Sequence, residues 1–464
     1  MGTNEILDEL VTLLGADVVD SGDAINPDEL HDESLHAAHV TPLAVVHPRS
    51  TDDVVTIVRW ATRHQVPLTP RGSGTGLSGG ATPVPGGVVV AMSRMNEVVR
   101  IDAGDHVAVV QPGITLHELD EALSATGLRY PVYPGELSGS LGGNVNTNAG
   151  GMRAVRHGVT RHHVLGLEVV LMDGTVLRTG GPVVKVSSGY DLTQLIIGSE
   201  GTLGIVTEVT LKLSPALPHA ATMLIPFASL DDVTRVVPSI ISEGLAPSIL
   251  EYLDVLTMAS VTAAASLELG VDPEVAERTV AYLVIVLETR TAEALDADLA
   301  ALASHVDDFG ALDVYVLPPH AATQLIEARE RAFWVAKAAG AHAIIDIVVP
   351  RSAVPAFLER ANEIAARHQT FLVGCGHVGD GNIHLSIYQP DDVTRAALLR
   401  ELFATGVAMG GAISGEHGIG RDKQSDFLAL SDPASLELQR AIKRVFDPHF
   451  LLNPYRLLDE RPLP

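Results

Sequence analysis

The spacing of apolar residues changes in style along this chain. At the start, Ile6, Leu7, Leu10, Leu13 and Leu14 recur at helical intervals among Glu5, Asp8 and Glu9, which predicts an amphipathic helix over residues 1–14. An acidic connector from Asp20 to Glu33 follows, so residues 1–37 read as a helical lead-in. Across 38–217 the apolar residues come in short runs split by glycine, at 88–92, 107–111, 167–172 and 204–213. The helical windows between them are brief, at 51–64 and 116–126. Pro215 and Pro218 introduce a third texture, over 218–410. There, longer helical windows at 292–306, 321–338, 354–368 and 392–408 are interspersed with strand-like runs at 281–287 and 343–349. The remainder, 411–464, is glycine-rich, then helical over 435–446, then extended through Asp447-Pro448 and Asn453-Pro454. The expected fold class is α+β, in more than one lobe.

Composition narrows the partners. With 46% hydrophobic and 19% charged residues in 464, the chain can bury a large interior. A formal charge of -26 has the wrong sign for tracking a polyphosphate, so nucleic acid is not an expected partner. An anionic substrate would need a local basic group. Cys375 is the sole cysteine, which excludes an intramolecular disulfide and fits a reducing compartment. The acidic N-terminus is unlike a signal peptide, and no window approaches the roughly 18–20 apolar residues of a membrane span. A cytoplasmic protein without a transmembrane segment is expected.

Glycine-rich segments carry the first chemical signal. Gly74, Gly76 and Gly79 satisfy G-x-G-x-x-G formally, as in a nicotinamide-binding loop, but the helix that loop requires cannot follow. Ala81-Thr82-Pro83-Val84-Pro85-Gly86-Gly87 forbids it. What remains is either a flexible surface loop or a loop whose backbone N–H groups converge on an anion, with Arg71 adding a charge. A second segment, 134–151, is built of small residues and short amides that suit a backbone lying against a flat ligand. A third, Gly198-Ser199-Glu200-Gly201-Thr202-Leu203-Gly204, leads into a strand. Together they suggest an extended, phosphate-bearing ligand gripped at several points.

Histidines carry the second signal. In Gly376-His377-Val378-Gly379-Asp380-Gly381-Asn382-Ile383-His384-Leu385, the Asp-Gly pair predicts a two-residue type I′ hairpin. That turn would set Val378 opposite Ile383 and His377 opposite His384, with Cβ atoms roughly 4.5–5.5 Å apart. Two imidazoles so placed could share a divalent ion, or could be surface histidines. Gly415-Glu416-His417-Gly418 weighs toward the ion. Glu416 adds a carboxylate to make a two-histidine, one-carboxylate set, and His417, expected to point elsewhere, is free to act as a base.

These motifs resemble those of the vanillyl-alcohol oxidase superfamily of FAD-linked oxidases. The likeness lies in Pro70-Arg71-Gly72-Ser73-Gly74-Thr75-Gly76, in the run from Ser138 to Gly151, in Gly198 to Gly204, and in the two histidine passages. It is strongest toward the branch of glycolate oxidase subunit, D-lactate dehydrogenase and D-2-hydroxyglutarate dehydrogenase. The resemblance implies a two-lobed FAD-binding domain (38–217) and an α+β substrate domain (218–410). The C-terminal segment (411–464) would return to the flavin domain. It further implies FAD held by Pro70, Arg71, Gly72, Ser73, Gly74, Thr75, Gly76, Ser78, Pro134, Gly135, Ser138, Gly139, Ser140, Gly142, Gly143, Asn144, Asn146, Thr147, Asn148, Gly150, Gly151, Glu200, Gly201, Gly204, Ile205, Val206 and Asn453. Because Thr75 stands where some relatives have a flavin-tethering histidine, the FAD is expected to be non-covalent. By the same resemblance His377, His384 and Glu416 would hold zinc or manganese, and Arg329, on a predicted helix, would hold the carboxylate of a small 2-hydroxy acid. His417, with an ordinary pKa of about 6.5, would take the hydroxyl proton. No second basic residue is evident at Ile344-Ile345-Asp346, which disfavours a dicarboxylate. An electron-transfer flavoprotein, a quinone or a cytochrome would reoxidise the flavin. A homodimer is one assembly left open. A non-catalytic FAD-carrying subunit of a glycolate-oxidase-like complex is the alternative, and an NAD-dependent dehydrogenase a third.

Overall fold

The lead-in helix, Thr3–Leu14 in the computed structural model, lays Leu10 on the helix Thr51–His64, whose Trp60 indole donates to the Ile6 carbonyl at 3.1 Å. The structure describes residues 2–36, 40–459 and 461. The expected boundary between 37 and 38, and Met1 of the lead-in, lie outside the described residues.

Two sheets follow. In the first, Ala44–Val46, Val88–Ala91 and Leu68–Arg71 run parallel in that order, with Val19–Asp20 antiparallel at one edge. Its central strands are unbroken valine and alanine because both faces are covered. The second is fully antiparallel, in the order Val98–Asp102, Val107–Val110, Ile205–Lys212, Val164–Val170, Val176–Gly180. Leu452 bridges Leu68 in parallel, so the C-terminal stretch lies along the edge of the first sheet.

Residues from His219 onward build a seven-stranded antiparallel sheet, ordered Tyr315–Val316, His219–Phe227, Ala281–Thr289, Ile249–Asp254, Leu372–Gly376, Asn382–Ile387, Ala343–Val348. One face is sealed by the helices Leu230–Ser242, Ala292–Asp307, Val354–Arg367 and Asp392–Ala408, through residues such as Val236, Leu302, Phe357 and Leu402. The other is only partly covered, by Val255–Ala265 and Pro319–Glu330 around Met258, Val261 and Leu325. The uncovered part of that face is where polar residues gather.

The architecture is α+β, as the run lengths predicted. Two local expectations are revised. The helical window at 321–338 is broken at Arg331 (φ −80°, ψ 3°) into Pro319–Glu330 and Ala332–Ala338. The glycine-rich second segment contains a helix, Leu141–Thr147. Ser140 caps its start, and Asn148 ends it in the left-handed conformation.

Candidate active site

A cleft separates the first two sheets from the open face of the third, and the glycine segments form its floor. They meet through Ser140. Its hydroxyl accepts from Ser73 N (3.3 Å) and Gly143 N (3.4 Å), and a Cβ on Gly72 would sit 2.0 Å from it. Contact that tight is why position 72 carries no side chain. Asn453 reaches in from the C-terminal stretch, its amide donating to Glu200 O (2.8 Å) and Gly80 O (3.0 Å). Arg71 Nη1, Asn144 Nδ2, Asn146 Oδ1 and Asn453 Oδ1 are buried without a partner, and all four residues line the cleft. Unpaired donors and acceptors facing one void need a polar ligand to satisfy them, and a flavin nucleotide supplies both kinds of group.

Most residues expected at the cofactor lie on this surface, but four do not. Ser138 bonds Glu136 Oε1 (2.7 Å). Asn148 accepts from Arg161 N at 3.0 Å. Gly151 presses on the Tyr133 carbonyl, which an added Cβ would meet at 1.8 Å, and Gly204 packs on Val169. These four shape the segments from behind. Glu200 lines the cleft, but its carboxylate is occupied otherwise, accepting from Ile419 N and Gly420 N, each at 2.7 Å. It ties the flavin-side floor to the Glu416-His417 loop.

The histidine hairpin differs from the expected one. Cys375, not His377, pairs with His384, and residues 378–381 form a longer turn closed on the His377 carbonyl by Asp380 N, at 3.0 Å. A type I′ turn needs positive φ at both central residues, and here Gly381 (φ +92°) has it while Asp380 does not. A shift of two residues preserves the face, since side chains alternate with period two. The imidazoles therefore still meet, with ring centroids 5.0 Å apart.

Glu416 Oε1 lies 3.1 Å from His377 Nε2 and 3.3 Å from His384 Nε2. The three ligand atoms fall within 4.8 Å of one another. Two imidazole nitrogens and a carboxylate converging this way fit a divalent cation. Burial alone would lower the pKa of His377, but Glu251 and Glu416 on either side outweigh it and hold it well above the ordinary value. Burial opposes ionisation of Glu416 too, yet the two histidines pull its pKa far below the usual range. His417 does not point away. It stacks on His384 at 5.1 Å, with Nδ1 3.9 Å from Asp346 Oδ2, and burial lowers its pKa to about 4 against the pull of Asp346.

Two organising carboxylates were not singled out from the sequence. Asp346 is fully buried and accepts from His417 N (2.8 Å), Glu416 N (3.1 Å), Ser414 Oγ (2.7 Å) and Asn382 Nδ2 (2.8 Å). Glu251, also fully buried, has Oε1 2.5 Å from His377 Nδ1 and Oε2 2.7 Å from Arg329 Nη2. Each is an acidic residue flanked by apolar ones within a strand, Ala343–Val348 or Ile249–Asp254, and that misfit was the available signal. Arg329 touches Glu251 as an ion pair, but its Nε and Nη2 lack an aligned hydrogen bond and the residue lines the cleft.

A cleft with unpaired amides on one wall and ionisable side chains on the other is the build of a flavin-dependent oxidoreductase, and known proteins agree. The FAD binding domain model matches residues 42–180, and the model of the C-terminal domain of FAD linked oxidases matches residues 217–457. The chain belongs to the FAD-linked oxidases, in the branch with proteins named D-lactate dehydrogenase, glycolate oxidase subunit and D-2-hydroxyglutarate dehydrogenase. It is 51% identical to an uncharacterised FAD-linked oxidoreductase of Mycobacterium tuberculosis, over 94% of this chain and 95% of the relative. It is 36% identical to D-lactate dehydrogenase of Anaerostipes hadrus, over 94% of each. In structure it resembles p-cresol methylhydroxylase with a TM-score of 0.80, covering 98% of this chain and 96% of that one at 19% identity, a likeness of fold alone. The protein is an FAD-linked oxidoreductase. No described helix is long and apolar enough to cross a membrane.

Proposed function

We propose that this protein oxidises a D-2-hydroxy acid, D-lactate-like or glycolate, to the 2-oxo acid. The observation that carries the reading is the meeting of His377, His384, Glu416, His417 and Arg329 on the wall of a cleft whose floor is the glycine-rich flavin segments. FAD held there supplies the acceptor for the hydrogen and electron pair that leave C2. A divalent cation, zinc or manganese, on His377, His384 and Glu416 would supply Lewis-acid polarisation of the 2-hydroxyl.

The chain's own groups do the rest. Arg329, its Nη2 held by Glu251, offers its unpartnered Nε to the substrate carboxylate, which orients C2. His417 is neutral at working pH because burial depresses its pKa, so it can accept the hydroxyl proton. Asp346, 3.9 Å from Nδ1, stabilises the imidazolium that results. Beyond this group the sheet wall of the cleft is uncharged, with Ser386 among its lining residues. Ile344 and Val373 both pair with Ser386, two residues along from the row Asp346, His384 and Cys375, and Phe333 also lines the cleft. Among the described cleft-lining residues the arginines are Arg329 and Arg71, and Arg71 donates to the Asp28 carbonyl on the flavin side. A second carboxylate on the substrate would find no cation among the described residues of that wall, which favours a monocarboxylate.

Anaerobic mixing of the purified protein with D-lactate, L-lactate, glycolate and D-2-hydroxyglutarate, with the flavin spectrum recorded, tests this. Bleaching by D-lactate or glycolate, with a divalent ion found by metal analysis, is expected. Flavin that no 2-hydroxy acid reduces, in protein without bound metal, would sink the reading and favour a non-catalytic subunit.

A further inference from the structure

Glu251 stands between two groups to which the proposed reaction assigns separate tasks. Its side chain has no solvent exposure. It lies opposite His377, one step beyond the Tyr252–Gly376 pair that joins their strands. One oxygen is 2.5 Å from His377 Nδ1, on the far side of the ring from the Nε2 that faces Glu416. The other is 2.7 Å from Nη2 of Arg329, on the helix Pro319–Glu330 across the open face of the sheet. Nothing about folding requires a carboxylate here. The neighbours Leu250, Tyr252 and Leu253 are core residues, and an isolated buried charge is strongly unfavourable.

From this geometry we infer that Glu251 is a positioning residue that couples the metal-ligand histidine to the substrate-binding arginine. The inference rests on the function proposed above. By accepting from Nδ1–H, Glu251 sets the His377 tautomer that leaves Nε2 as a lone-pair donor, fixes the ring plane and strengthens that donor. By its contact with Nη2 it holds the Arg329 guanidinium against the same wall. Ligand and anion clamp are thereby held in one frame, so that the hydroxyl and carboxylate of a single substrate can engage both at once. The sheet supplies the two adjacent strands that place Glu251 and His377 side by side, and the helix supplies the arginine. No direct contact between His377 and Arg329 is needed.

The test is Glu251→Gln, which keeps shape and removes charge, beside Glu251→Asp, which keeps charge and withdraws it by one methylene. Zinc and manganese affinity is measured by chelator competition on the flavin-loaded protein, with no turnover involved. KM and kcat for D-lactate are then measured at saturating metal. Glu251→Gln is expected to weaken metal binding about 10–100-fold and to raise KM with FAD content unchanged, while Glu251→Asp falls between it and the parent. If Glu251→Gln does not fold, Glu251→Asp alone decides, by the same weakening of metal and substrate together. Parental metal affinity and KM in the folded variants would overturn the coupling. If the parent itself binds no metal and its flavin is reduced by no 2-hydroxy acid, the functional reading fails instead, so the two failures are told apart.

Discussion

His417 shows how burial chooses a role for a side chain. An exposed imidazole would be half-protonated near pH 6.5, and a base in that state would be idle in half the molecules. In its enclosed position the neutral form is favoured, down to a pKa of about 4. The sign follows directly: proton acceptance is available above that value and lost as pH falls through it. The acid limb of kcat/KM, measured at saturating metal, is therefore expected near pH 4, and a limb centred near 6.5 would count against His417 as the base. Replacing it, His417→Ala, is expected to lower kcat by about 10²–10⁴-fold while flavin and metal remain bound. Normal turnover in that variant would remove His417 from the reaction.

Among elements, the helices were the most legible. Thr51–His64 and Asp392–Ala408 begin and end where periodicity placed them, and their starts are fixed by Ser50 and Asp391, whose side chains accept from Asp53 N and Thr394 N. The hairpin was legible as a hairpin but not in register, since two strands can slip by two residues without changing which face is buried. Its actual turn depends on Gly381. There φ is +92°, and a Cβ would lie 2.0 Å from the Val349 carbonyl oxygen. Gly381→Ala is expected to cost about 1–3 kcal/mol from the strained backbone, before the clash is counted. Because the turn sets the spacing of His377 from His384, metal affinity should fall while FAD content is kept. Chelator competition and flavin absorbance on the same sample check this, and unchanged metal affinity would show that the turn does not set the site.

At the scale of the whole molecule, the cleft exists because two domains are tied together. Arg129 donates a bidentate pair of bonds to Glu288, 2.7 Å each, from beside the flavin-side sheets to the seven-stranded sheet. Arg156 Nη1 donates to the Glu288 carbonyl at 3.0 Å. Burial works against the Glu288 carboxylate, but the bonds from Arg129 outweigh it and hold its pKa below the ordinary 4.5. A depressed carboxylate stabilises fully above that value, and the contribution is lost as pH falls through the lower one. Glu288→Gln is expected to destabilise by about 3 kcal/mol at neutral pH, since it leaves Arg129 buried without its charge partner. The deficit against the parent should shrink below pH 4.5. Denaturant unfolding at pH 7 and pH 3.5 checks it, and a deficit that does not depend on pH would mean the ion pair is not its source.

Local chemistry was therefore readable from the chain alone: α+β texture, glycine segments that admit a flat ligand, paired histidines and a Glu-His loop. Such features depend on spacings of a few residues, which covalent geometry transmits directly. The roles of Glu251 and Asp346 were decided only by the fold. Each is an acidic residue flanked by apolar ones in its strand, and its partners lie 78 and 126 positions away for Glu251 and 70 and 71 for Asp346. Contacts that distant follow from which strands pair and which face a sheet leaves open, and burial then turns a lone carboxylate into the group that positions its neighbours.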